Sequence, residues 1–419
     1  MAKTNEESAG GLRRALGLVD AVGIGVGAIV GAGIFVVTGV AAGVAGPAFL
    51  LGLLLAGAAA AANALSSAQL AAAYPRSGGT YEYGYRVLSP ALGFAAGWLF
   101  LASKITAAGT VALGLAGYLE ALLPGLPPRA AAVGAVVVFT SLNYYGVQRS
   151  SRANLVIVAV SVGALLLFVI AGIPSFRMTN LRPFAPAGWE GTLRAAALLF
   201  FAYTGYARIA TLGEEVREPQ RTIPRAIEIT IGGVLVLYLG VALIAAGAVG
   251  TDALARTAAP LEAAARSFGA SWVRTAVAAG GVAAMLGVIL SQLLGLSRMV
   301  FAMARRGDLP RGLEAVHPRH GVPGRAVLAV GATAAVVAAT GTLAGVAATA
   351  SFTILLYYGI ANLAALRMPR EAKLFSDAVP AFGLVACALL AFSLSPRIIL
   401  TSLALLAAGF LLRRVARAV

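Results

Sequence analysis

Four glycines fall within nine residues in the apolar segment Gly25–Phe35: Gly25, Gly27, Gly31 and Gly33. Glycine in a helix interior costs about 1 kcal/mol relative to alanine, so a purely structural helix would rarely concentrate it this way. One reading is a small-residue packing face, because Gly27 and Gly31 form a G-x-x-x-G pair. The other is an interrupted helix. Free amides at Gly31, Ala32 and Gly33 would then face a cavity and hold an anionic group, aided by the positive end of a half-helix. A second site of the same kind is Phe201, Ala202, Tyr203, Thr204 and Gly205, where a glycine sits beside two hydroxyls in an apolar stretch. Main-chain carbonyls and the Tyr203 hydroxyl there suit a ligand amine.

Ionisable groups in the apolar stretches are few. None of the sixteen acidic residues lies near the middle of one. A cationic side chain on a ligand would therefore find no carboxylate, which argues against lysine, arginine or polyamines. Lys104 lies about 13 residues into its stretch, near midplane depth at 1.5 Å per residue, where a lone charge costs several kcal/mol. It is a candidate to lose a proton in one conformation and regain it in another. Arg208 is placed to snorkel toward an aqueous face and Arg298 to anchor one. Ser161, Ser291, Ser297, Ser351 and Thr353 read mainly as groups bonding their own helical turn. Gln292 and Asn362 have more polar surface to satisfy and are better pore-lining or interhelix candidates. His317 and His320 have no thiol or deep carboxylate nearby, so no metal centre is expected.

The elements that must position these groups are membrane helices. The chain is 419 residues long, 60% apolar and 11% charged, with a mean hydropathy of +0.89. A soluble domain carries about 25% charged residues. Apolar stretches long enough to cross about 30 Å occur near 17–43, 47–71, 91–122, 131–148, 153–173, 191–211, 228–250, 272–303, 325–341, 343–366, 378–394 and 397–412. The expected fold class is therefore an all-α polytopic membrane protein with twelve transmembrane helices. The net charge of +16 lies in short clusters between these stretches rather than in one stripe, as membrane anchors do and nucleic-acid surfaces do not. With both termini cytoplasmic, 21 of the 32 lysines and arginines fall inside and eight outside. The lone Cys387 excludes an intrachain disulfide. No P-loop, H-E-x-x-H or nucleophile elbow is present, so neither an ATP-driven pump nor an enzyme is expected, and no cofactor. A channel would need an open polar path or charged rings, and neither is visible.

The stretches Gly25–Phe35, Tyr74–Tyr83, Phe200–Gly205, Gly213–Ile227 and Ser297–Pro310 together resemble the amino acid-polyamine-organocation transporters, especially bacterial members similar to cationic amino acid transporters. That resemblance implies a LeuT-type fold: a 5+5 inverted repeat plus two additional helices, with the first and sixth helices unwound at midplane. The corresponding organisation is a cytoplasmic tail at 1–16, a first repeat at 17–173, an extracellular connection at 174–190, a second repeat at 191–366, and two further helices with a short cytoplasmic end at 367–419. It further implies that amides of Gly31–Gly33 receive a substrate carboxylate, while carbonyls near Ile29 and around Phe201–Thr204 receive its amine. Ala32 stands where a serine or threonine is frequent in the family, so backbone amides rather than a hydroxyl make that contact. Proton-coupled relatives often carry a lysine in the fifth helix, where this chain has Ser161.

The expected function is secondary active transport, as proton-coupled symport of a neutral or small zwitterionic amino acid, with Lys104, Ser161 and Ser291 as coupling candidates. Sodium coupling, uncoupled exchange of an amino acid or amine, a channel and a membrane sensor are the alternatives. Expected partners are the substrate, a proton or sodium ion, and membrane lipids. The charge bias generates a topology test: cysteines introduced at Arg76, Arg217 and Arg305 should resist an impermeant thiol reagent in intact cells, and labelling of all three would reverse the orientation.

Overall fold

A computed structural model describes residues 16–74, 78–146, 151–210 and 216–418. The tail, Pro75–Ser77 of the second motif, including Arg76, and Gly213–Glu215 of the fourth lie outside these residues. The described parts are predominantly helical, with one isolated bridge between Leu16 and Val216. The first apolar segment forms α1 (Leu18–Ile29), a π-helical turn at Gly33–Val37 and α2 (Thr38–Ala45), followed by α3 (Phe49–Ala73). Short α4 (Thr80–Tyr83) leads through a second π turn to α5 (Pro90–Leu122), α6 (Pro128–Tyr144) and α7 (Ser151–Gly172). The sixth segment comprises α8 (Gly188–Phe200), a 3-10 stretch at Phe201–Tyr206 and α9 (Ala207–Ala210). Then come α10 (Pro219–Val249), short α11 (Thr251–Ala255) and α12 (Pro260–Arg266), α13 (Ser271–Arg305), α14 (Gly324–Thr340), α15 (Leu343–Leu366), α16 (Ala378–Phe392) and α17 (Pro396–Ala418).

Local chemistry sets these boundaries. Proline begins α5, α6, α10, α12 and α17, where its missing N–H costs nothing. Ser89 accepts from the Leu92 amide at 3.2 Å to cap α5, and Thr342 accepts from Gly345 at 3.2 Å to cap α15. Helix therefore occupies each of the twelve expected apolar segments. Seven helical stretches of the described residues, counting Leu18–Ala73 as one, are long and apolar enough to cross a membrane, and α14 and α16 are shorter apolar helices. The chain is a multi-pass membrane protein. α11 and α12 were not expected from hydropathy; they lie in a polar connection and pack over α2 and the π turn.

Packing follows a regular offset. The broken first segment meets the broken sixth, α3 packs on α10, α5 on α13 and α6 on α14, so each of the first four apolar segments packs on the one five segments later. Small residues let these backbones approach, which is the main source of helix association where lipid is as apolar as the side chains.

At the face expected to be cytoplasmic, a charged clamp joins three distant segments. Gly79, at φ +57, turns the chain into α4. The fully buried Asp308, just beyond α13, accepts from Tyr81 at 2.8 Å, Tyr85 at 2.5 Å, Arg413 at 2.9 Å and Arg417 at 3.0 Å. Beside it Glu82 is bound by Arg306 at 2.5 Å and Arg86 at 2.8 Å, and Arg306 lies over the rings of Tyr81 and Tyr85. Burial pushes the Glu82 carboxyl up, but the hydrogen bonds from Arg306 and Arg86 outweigh it and leave it below its ordinary value of 4.5. Burial and the Asp308 carboxylate raise the Tyr85 phenol to about 12, so it remains a donor at any working pH.

Because the Glu82 value is depressed on folding, its contribution to stability is present above about pH 4.5 and is lost as pH falls through the folded value. Thermal unfolding of the purified protein should accordingly be flat from pH 7 to 5 and fall below that. Asp308→Ala, which strands a buried Arg413, should cost on the order of 3 kcal/mol, whereas Arg417→Gln, at a half-exposed partner, should cost under about 1 kcal/mol.

Candidate functional site

The two interrupted helices cross at their breaks. α1 ends at Ile29, and Val30 is extended at φ −71, ψ 109. The following π turn begins at Gly33, and the Gly31 carbonyl accepts from Ile34 and Phe35, each at 3.2 Å. The amides of Gly31, Ala32 and Gly33 are thus the N-terminal donors of the second half, without intrahelical partners. The crossing is backbone on backbone. A Cβ at Gly205 would stand 2.6 Å from the Ile29 nitrogen and closer still to the Ala28 carbonyl, and one at Gly33 would run into the Ala202 backbone. At Gly31 the obstacle is only a methyl of Val288, 2.9 Å away. Glycine is needed at 33 and 205 because two main chains meet there.

A small cavity of about 40 Å³ opens at this crossing, lined by Ile29, Gly31, Ala32, Gly33, Phe201, Ala202, Thr204 and Gly205, by Lys104 and Val111 of α5, by Val288 and Gln292 of α13, and by Ala28. That is room for roughly three waters, the scale of a small polar molecule. Lys104 donates to the Thr204 hydroxyl at 3.3 Å. Thr204 in turn donates to the Phe201 carbonyl at 3.0 Å, and Gln292 donates to the Lys104 carbonyl at 2.5 Å. No carboxylate among the described residues lines the cavity.

Of the residues expected at the site, eight line this cavity and Tyr203 does not. In a 3-10 stretch residues three apart share a face. Phe201 and Thr204 therefore point inward, while Tyr203 and Tyr206 point away and are fully buried. The Tyr203 hydroxyl donates to the Leu53 carbonyl at 3.3 Å, so in this structure it is not placed to meet a ligand. Lys104 is in the cavity; Ser161 and Ser291 are not. Ser161 donates to Ile157 at 2.7 Å, with Gly280 at 3.4 Å. Ser291 donates to Gly287 and Val288 within its own helix. Gln292 faces the cavity as its polarity suggested, whereas Asn362 bonds Asn63 at 2.6 Å in an interhelix contact. Ala28, Val111 and Val288 carried no sequence signal, being apolar residues in apolar helices. Tyr238 was also missed; its hydroxyl donates to the Ile29 carbonyl at 3.0 Å and satisfies the end of the first half-helix. No group of acidic, histidine or cysteine side chains among the described residues can hold a metal ion.

A polytopic helical protein whose two broken helices enclose a small polar cavity belongs to the class of membrane transporters built around discontinuous helices. Comparison with known proteins is specific. The family model described as amino acid permease matches residues 20–415, and the chain belongs to that family. It is 45% identical to an uncharacterized transporter of Mycobacterium tuberculosis over 95% of this chain and 90% of the relative. It is 34% identical to the branched-chain amino acid permease BcaP of Bacillus subtilis over 74% of this chain and 71% of the relative. The methylthioribose transporter of the same organism is also 34% identical, over 82% of this chain and 80% of the relative.

The crossing geometry separates the glycines experimentally. Gly205→Ala should lower thermal stability by about 1–3 kcal/mol, since two backbones must part, and Gly31→Ala by clearly less, since a valine methyl can rotate. Gly31→Leu should insert and fold but lose transport, because its side chain fills the cavity. Normal affinity and flux in purified Gly31→Leu would remove the cavity from the transport path.

Proposed function

We propose that this chain is a secondary active transporter that carries a neutral or small zwitterionic amino acid by alternating access, with Lys104 linking protonation to transport. The observation that carries this reading is the cavity itself: half-helix amides on one side, Lys104 on another, and no carboxylate in the lining. A substrate carboxylate is met by the amides of Gly31–Gly33. The amine is met by carbonyls at Ile29 and Phe201, each of which already accepts one hydroxyl and keeps a second lone pair. A cationic side chain would enter with nothing to neutralise it.

Lys104 stands on α5 and holds Thr204 on the sixth segment. Loss or gain of its proton changes that link and the charge beside the substrate carboxylate together, which is the requirement for coupling. The packing of each of the first four segments on the one five segments later supports two inverted five-helix repeats. Motion of the broken pair against α5 and α13 then opens the cavity to one side at a time. The cytoplasmic orientation of the termini rests on the charge bias. The branched-chain permease among the relatives favours an amino acid cargo, and the methylthioribose transporter keeps a neutral sugar derivative in contention.

Purified protein in proteoliposomes tests both parts. Unlabelled neutral amino acids should compete with a labelled one better than arginine, lysine or methylthioribose does; preference for arginine would overturn the cargo assignment, and preference for methylthioribose would replace it. In the same vesicles Lys104→Ala should retain counterflow exchange and lose proton-driven accumulation. Undiminished accumulation removes Lys104 from coupling, and accumulation driven only by sodium replaces the proton.

A further inference from the structure

A second cavity, larger than the first at about 70 Å³, lies between the end of α6, the last third of α13 and the start of α14, and is lined by Asn143, Gly146, Ser297, Arg298, Gly321 and Val322 among others. Its chemistry is unlike that of the transport site. Asn143 is 1% exposed, and its side-chain oxygen is buried without a hydrogen-bond partner, while its amide nitrogen reaches the Leu290 carbonyl at 3.4 Å. Ser297 is fully buried and donates to Leu294 at 2.9 Å, leaving its lone pairs free. Arg298 is exposed and takes part in none of the ion pairs formed among the described residues. A fixed cation thus shares a cavity with an unsatisfied buried acceptor. The complementary ligand carries an anion to meet the guanidinium and an O–H or N–H donor to meet Asn143. About 70 Å³ holds roughly five waters, enough for a phosphate group.

The rim says where that phosphate comes from. Tyr144 and Tyr145 end α6 beside His317 and His320, with the two imidazoles stacked 4.6 Å apart and each tyrosine edge-on to a histidine. Tyr145 is 64% exposed, and Val316, the residue before His317, is an exposed apolar side chain. Aromatic rings over exposed aliphatic surface are the arrangement found at headgroup level. In the connection from α13 to α14, which supplies Gly321 and Val322 to the cavity, Arg311, Arg319 and Arg325 are all exposed, and Glu314 is the one acidic residue between Arg311 and Arg325. Clustered basic residues at a helix end attract anionic lipid. Arg298 also lies six residues from Gln292 along α13, about 9 Å from the transport cavity toward this face.

We infer that this cavity binds the phosphate of an anionic lipid headgroup, with Arg298 receiving the phosphate and Asn143 accepting a hydrogen bond from a headgroup hydroxyl or amine. The binding helps fix α6, α13 and α14 against one another at the membrane face. It is independent of the transported cargo.

The test uses full-length protein in a neutral detergent, with binding followed by native mass spectrometry and by thermal stabilisation. Phosphatidylglycerol should be retained and should stabilise the protein, and phosphatidylcholine should do neither. Arg298→Gln, a change at an exposed position, should weaken the phosphatidylglycerol effect at least tenfold, and Asn143→Leu should weaken it as well. Inorganic phosphate that displaces the lipid supports the same site. Inorganic phosphate that stabilises the wild type but not Arg298→Gln, with phosphatidylglycerol inactive, assigns the site to the free anion and overturns the lipid source. Equal responses to the two lipids, or a phosphatidylglycerol response unchanged in Arg298→Gln, overturns the proposal.

Discussion

In hydrocarbon every main-chain N–H and C=O needs a partner, so a helix can be interrupted only where its freed groups meet protein or line a cavity. This chain interrupts two helices and lays the gaps across each other. Gly205 rests on Ala28 and Ile29, and Gly33 on Ala202. The remaining polar groups are then shared out. Tyr238 takes the Ile29 carbonyl and Thr204 takes that of Phe201, while Gly31, Ala32 and Gly33 line the cavity. The small residues of α1, α3 and α5 follow from the same requirement, since a crossing of two backbones draws their neighbours inward.

Lys104 connects this crossing to the surrounding frame. Its side chain holds Thr204 and its carbonyl is held by Gln292, so the sixth segment, α5 and α13 meet at one residue. The charged clamp at the membrane face works under different physics. Asp308 is surrounded by four donors from two segments, and α17, otherwise largely exposed, is tied to the rest by Arg413 and Arg417. Buried and fully bonded, that carboxylate specifies one arrangement of distant segments more than it adds net stability. The clamp and the crossing share no residue, so a change in one leaves the contacts of the other in place.

The apolar segments, the two breaks and most of the cavity lining were legible in the sequence. Length and hydropathy fix where helices lie, and glycine clusters are too costly to place without cause, so Gly31, Gly33 and Gly205 announced themselves. So did Lys104, because a charge at that depth needs a reason. The charge bias and family motifs gave an expected orientation and chemistry for the site. Polarity in an apolar stretch also selected Tyr203 and Ser291, and the family register Ser161; none of the three lines the cavity.

What only the tertiary structure decided was direction and distant pairing. The 3-10 stretch rotates Tyr203 out of the cavity that Phe201 and Thr204 share, a change of about 20° per residue relative to an α-helix that hydropathy does not encode. Ser291 bonds carbonyls of its own turn, and Ser161 bonds that of Ile157 with the Gly280 carbonyl of α13 at 3.4 Å. Asp308 with Arg413, and Asn143 with Arg298, are separated by more than a hundred residues, and no periodicity links such pairs. Local propensity and the bilayer settle where a helix begins, ends or breaks; its rotation about its own axis is set by the neighbours it packs against.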